Sequence, residues 1–94
     1  MGRIIHDVFI ATGYKDEIEA LREFAIEHEP SEGGSVSPIN QAFCNSFHSF
    51  AIFPDGSKVG WEISEKFRKF RTLVEFKAVE MGIENVRVKF GEID

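Results

Sequence analysis

Apolar and polar residues alternate with two different periods along this chain, and the switches between them divide it into six segments. Arg3 to Ala11, RIIHDVFIA, is rich in β-branched and aromatic residues and reads as a strand. Thr12-Gly13 stops it. From Lys15 to His28 the period lengthens, so that Ile18, Leu21, Ala25 and His28 recur at helical spacing. Acids crowd the first turn of that helix, where the dipole favours them. Pro30 ends it, and Ser31-Glu32-Gly33-Gly34-Ser35 is the flexible stretch. Val36 to Cys44 and Phe47 to Phe53 then read as a hairpin, with Asn45-Ser46 as a two-residue turn. A second helix is predicted from Glu65 to Met81, capped by Ser64 before it and Gly82 after it. Phe67, Phe70, Val74, Ala78 and Met81 make its apolar stripe. Asn85 to Phe90 closes the chain as an alternating strand, with Val86, Val88 and Phe90 expected inward and Arg87 and Lys89 outward.

The order strand, helix, strand, strand, helix, strand is that of the ferredoxin-like βαββαβ fold. It predicts a single α+β domain over residues 1–94, with a four-stranded antiparallel sheet and both helices on one face. The other face is then free to bind. In the hairpin, pairing Cys44 with Phe47 directs Ile39, Phe43, Phe50 and Ile52 to the core and Asn40, Ala42, Cys44, Phe47, Ser49 and Ala51 away from it. In the first strand two parities compete, Ile5, Phe9 and Ala11 with Asp7 against Ile4, Val8 and Ile10 with His6. We place Asp7 outward, where Arg87 or Lys89 is a cross-strand partner. The open face is thus expected to carry Asp7, Phe9, Asn40, Phe47, Ser49, Arg87 and Lys89. Aromatics beside bases suit stacking on a nucleotide with a grip on its phosphate. The same aromatics suit an interface between copies of the chain, which is the favoured reading.

Composition narrows the partners. A formal net charge of −5 argues against non-specific affinity for nucleic acid or anionic membrane. One cysteine, Cys44, excludes an internal disulfide and a cysteine-rich zinc site. No apolar run approaches membrane-spanning length, and MGRIIH has neither a signal-peptide profile nor a myristoylation motif. A cytoplasmic protein is expected, with no cofactor. At 94 residues, the chain buries a modest fraction of its surface and gains from oligomerisation.

Five short motifs invite chemistry. Pro54-Asp55-Gly56-Ser57-Lys58 lacks the first glycine and the final hydroxyl of a Walker loop, so it reads as a turn. Lys58 at its end can still reach an anion, with Trp61 as a cover. Cys44 and His48 resemble a thiolate–imidazole pair, yet they fall on opposite faces of the sheet. KFRKFR, Lys66 to Arg71, turns Phe67 and Phe70 inward and spreads its bases over a solvated helix face with Glu62, Glu65 and Glu75 as partners. Glu27-His28-Glu29 and His6-Asp7 match no zinc spacing, and no metal site is expected.

Val36-Ser37-Pro38-Ile39, then Asn45, Phe47, Ser49 and Phe50, then Pro54-Asp55-Gly56-Ser57-Lys58, Gly60, Trp61 and Ser64 together resemble a family of small bacteriophage proteins. That family shares a V-S-P-I start, an N-x-[FY]-x-S-F hairpin and a P-D-G-S-K-x-G-W segment. After Ser64 this chain departs from it, with KFRKFR where a more acidic helix start is typical. The resemblance implies a phage accessory protein acting in the host cytoplasm. It implies an anti-defence role exercised by binding. The exposed aromatic and basic positions, with no convergent catalytic set, add the expectation of a non-enzymatic homo-oligomer that binds a host protein or a small anionic nucleotide. The ligand-contacting residues expected are Phe9, Phe47, Ser49, Lys58, Trp61, Arg87 and Lys89. The alternatives are a small enzyme using Cys44 or His48, and a structural part of a phage assembly.

Overall fold

The computed structural model describes residues 3–91. Its elements are β1 (His6–Tyr14), α1 (Lys15–His28), β2 (Asn40–Gln41), β3 (Phe47–Ile52), α2 (Glu62–Glu80) and β4 (Glu84–Phe90). The four strands form one antiparallel sheet in the order β2-β3-β1-β4. This is the expected ferredoxin-like α+β arrangement, with both helices over one face.

β1 continues through Thr12 and Gly13 to Tyr14 instead of stopping at Ala11. Thr and Tyr favour strands, and the Thr12 hydroxyl lies 2.8 Å from that of Ser49 on β3. The helix follows at once, with the Tyr14 N–H donating to the Glu17 carboxylate at 3.2 Å. Gly13 has a packing role there, because a Cβ would lie 3.1 Å from that carboxylate and 3.6 Å from Ile18.

The second strand is cut down. Only Asn40–Gln41 ladders, with an isolated bridge from Val36 to Ile52. Pro38 has no N–H to give, and Ser37 takes over: its N–H donates to the Ala51 carbonyl and its hydroxyl accepts from the Ala51 N–H, both at 2.8 Å. The hairpin register pairs Gln41 with His48, two residues removed from the expected Cys44–Phe47 match. A shift of two keeps parity, so Phe50 and Ile52 point inward as expected. Phe43, expected in the core, instead falls in the loop and is fully exposed. Asn45 and Ser46 there adopt φ of 63° and 58°.

α2 begins at Glu62, three residues before the expected start, and Trp61 rather than Ser64 holds the cap position. Phe67, Phe70, Val74 and Ala78 are buried as expected, and Gly82 (φ 73°) follows its end. On α1, Ile18, Leu21 and Ala25 are buried, but His28 is exposed and holds the Phe24 carbonyl through Nδ1 at 2.8 Å.

The core comprises Phe9, Ala11, Phe50 and Ile52 from the sheet, Ile18, Leu21 and Ala25 from α1, and the α2 stripe with Ile83. Two expected orientations are therefore reversed. Phe9 is 0% exposed on the helix side, and Asp7 lies there too. On β4 it is Val86, Val88 and Phe90 that face out, at 49%, 42% and 54% exposure. Arg87 turns in.

Candidate functional site

A buried charge cluster explains the reversal. β1 and β4 set Asp7 opposite Lys89 and Phe9 opposite Arg87, all on the helix side. Arg87 Nε donates to Asp7 Oδ1 at 3.0 Å, its Nη2 bonds the other carboxylate oxygen, and Nη1 reaches Glu75 at 2.9 Å and Thr72 at 3.2 Å. Arg71, only 3% exposed, projects from α2 between Asp7 and Asp55. Its Nε lies 3.3 Å from Asp7 Oδ2 and its Nη2 3.2 Å from Asp55 Oδ1. Burial by itself pushes the Asp7 carboxyl up. The Arg87 hydrogen bonds and charge, joined by the charge of Arg71, outweigh that and hold it below the usual carboxylate range. The Arg87 guanidinium is correspondingly raised, first by its bond to Asp7.

Around this cluster Arg68, Arg71, Arg87 and Lys89 face Asp7, Asp55, Glu65 and Glu75. Four cations and four carboxylates balance. A small cavity of about 150 Å³ beside Ser64 is lined by Arg68, Arg71 and Lys89 against Asp7 and Glu65, with Arg68 paired to Glu65 and Arg71 to Asp7. The cluster anchors α2 to the sheet and ties down the Pro54–Ser57 segment, which is irregular rather than the expected turn. The chain turns just after it, where the Trp61 N–H donates to the Lys58 carbonyl at 3.2 Å. In that segment Asp55 accepts from the Ser57 hydroxyl as well as from Arg71. Burial raises the Asp55 carboxyl, and the Ser57 and Arg71 hydrogen bonds bring it below its ordinary value.

The uncovered face carries different residues from those expected. Val8, Ile10, Ala51, Phe53, Val86 and Val88 lie together across β3, β1 and β4, with Phe90 continuing the patch along β4. Tyr14 stacks on Phe47 at one end, with ring centroids 5.3 Å apart, and His6 meets Phe90 at the other, at 5.2 Å. Asn40, Phe47 and Ser49 do lie on this face, with Asn40 opposite Ser49. Phe9, Asp7, Arg87 and Lys89 do not. The face is thus apolar in its middle and lacks the two bases expected there.

Lys58 and Trp61 lie outside the sheet, with the ammonium 5.7 Å from the indole centroid and Trp61 half-exposed. Cys44 is exposed on the hairpin loop, and His48 Nδ1 bonds the Ser46 carbonyl at 3.0 Å rather than the thiol. Among the described residues no group of three or more His, Cys, Asp or Glu side chains converges as a metal site. No helix among them is long and apolar enough to cross a membrane.

The residues missed from the sequence were Val8, Ile10, Phe53, Val86, Val88 and Phe90. The signal for them was the competing parity of the first strand, where His6, Val8 and Ile10 form the alternative set.

No protein-family model and no curated protein matches this chain. Among solved structures it is similar to the de novo designed protein Foldit4, with a TM-score of 0.59 and 12% identity over 96% of this chain and 98% of that one. At that identity the likeness shows the fold alone.

Proposed function

We propose that the chain is a non-enzymatic phage accessory protein that works as a homo-oligomer, its subunits meeting across the uncovered face of the sheet. The carrying observation is the apolar middle of that face, Val8, Ile10, Val86 and Val88, lying on the opposite side from Arg87 and Lys89. A nucleotide stacked on the middle of that face would find no cation for its phosphate among the described residues there. A second copy needs none, because apolar surface set against the same apolar surface is self-complementary. Contiguous patches of this kind mark protein contacts. An anti-defence role in the host cytoplasm would then use the aromatics outside the patch, Phe43 on the hairpin loop and Trp61 with Lys58, to contact a host protein.

Sedimentation velocity tests the self-association. Wild type is expected to sediment as an oligomer, and Ile10→Lys, which plants a charge in the middle of the face, to reduce its order. Unchanged sedimentation with native circular dichroism would refute the face as a contact.

A further inference from the structure

The two edges of the sheet are built differently. β2 spans two residues and follows Pro38, a short edge of the kind that resists pairing. β4 spans seven, contains no proline and keeps an unbroken register with β1 from Glu84 to Phe90. Among the described residues no strand lies along its outer side. Edges of this length are usually guarded by a bulge, a proline or a projecting charge. The charge at the centre of β4 is Arg87, and it is folded away onto Asp7 and Glu75, which leaves the exposed Glu84 and Lys89 toward the two ends of the strand.

We propose that the outer edge of β4 pairs antiparallel with β4 of a second copy, joining two sheets into one of eight strands. This rests on the self-association argued above and adds a separate contact to it. The uncovered face, three strand spacings by the nine residues of β1, measures roughly 14 by 30 Å in projection, about 400 Å². A standard interface takes about 20–30 residues from each partner, and the outward positions of β3, β1 and β4 supply roughly half as many. The face alone is a small contact, and the edge supplies a ladder of backbone hydrogen bonds beside it.

The side chains select a register. A two-fold axis normal to the sheet keeps both apolar faces on one side, so residues of equal parity oppose each other. Centring on Arg87 pairs all seven residues and sets Val86 against Val88 and Asn85 against Lys89 of the second copy. The two Arg87 side chains tolerate this, each being neutralised by Asp7 and Glu75. Centring on Val88 would pair only the five residues from Val86 to Phe90. Edge and face contacts together close a tetramer with three perpendicular two-fold axes.

Sedimentation velocity at low salt separates the two contacts. Wild type is expected as a tetramer and Ile10→Lys as a dimer held by β4. Adding Asn85→Lys, which sets lysine against Lys89 twice, should weaken that dimer at least tenfold, whereas Asn85→Glu should preserve it. Circular dichroism checks each fold, with Ile10→Thr as the milder face variant. A monomeric Ile10→Lys overturns the β4 contact while leaving the face reading intact. An Ile10→Lys dimer indifferent to both Asn85 substitutions overturns it too. A wild-type oligomer unmoved by Ile10→Lys but divided by Asn85→Lys overturns the face reading alone, and a monomeric wild type overturns both.

Discussion

Phe9 and Arg87 stand opposite each other across β1 and β4, and both face the helices: one is an aromatic of the core, the other a cation at its margin. The arrangement holds because Asp7, one pleat away on the same side of β1, gives the guanidinium a carboxylate to bond. Removing one partner of such a pair strands the other. Arg87→Met is expected to destabilise the fold by about 3 kcal/mol, since Asp7 keeps only Arg71. Asp7→Leu combined with Arg87→Met should recover part of that loss, because the apolar pair needs no counter-charge while the buried Arg71 gives up Asp7 and keeps Asp55. Urea denaturation of the two single variants and the double variant measures both effects.

The same cluster sets an acid limit. The folded Asp7 carboxyl titrates below its ordinary value of 3.8, so the unfolded chain takes up the proton first. Stability from this group is complete above that value and declines as pH falls from it toward the depressed folded value. Asp55 acts in the same direction. Thermal melts on descending pH should therefore show a steeper loss of Tm below about 4 for wild type than for Asp7→Asn, which has no proton to take up. Parallel slopes would remove Asp7 from the account.

How much of this was legible in the sequence depended on whether pattern or pairing decided the residue. The order of elements followed from period alone, and so did the inward faces of α2 and of Phe50 and Ile52. Val36–Cys44 failed as a strand because Pro38 cannot donate to a ladder, a cue present but outweighed by the apolar run around it. Arg87 failed for a deeper reason. An alternating Val-Arg-Val strand reads as arginine outward unless a carboxylate waits inside, and Asp7 lies eighty positions away in the chain. Lys89 went with it by parity. Lys58 and Trp61, three positions apart in the chain, do lie together, with the ammonium over the indole.

Two phenylalanines calibrate the burial argument. Phe9 is closed on all sides and packs edge-on against Phe50, with centroids 6.3 Å apart. Phe9→Ala should cost about 3–5 kcal/mol through lost transfer energy and the cavity left behind. Phe43 is wholly in solvent, so Phe43→Ser should alter stability by less than about 0.5 kcal/mol. Equilibrium denaturation of both variants checks the contrast. A large loss for Phe43→Ser would mean the loop is covered in solution.

Concentration gives the last prediction, because it responds to association without naming its geometry. If copies of the chain cover Val86 and Val88, folding and assembly are linked, and dilution withdraws stability by mass action. The Tm of wild type should then rise with protein concentration. Val86→Thr with Val88→Thr keeps β-branched strand formers on β4 but replaces a methyl with a hydroxyl at each site. In an isolated subunit these half-exposed positions tolerate the exchange within about 0.5 kcal/mol. At an apolar contact each buried hydroxyl lacks a partner and costs about 1–3 kcal/mol. The double variant should accordingly match wild type at high dilution and fall behind it as concentration rises. Two melting curves that stay superimposed at every concentration would show that nothing covers this strand.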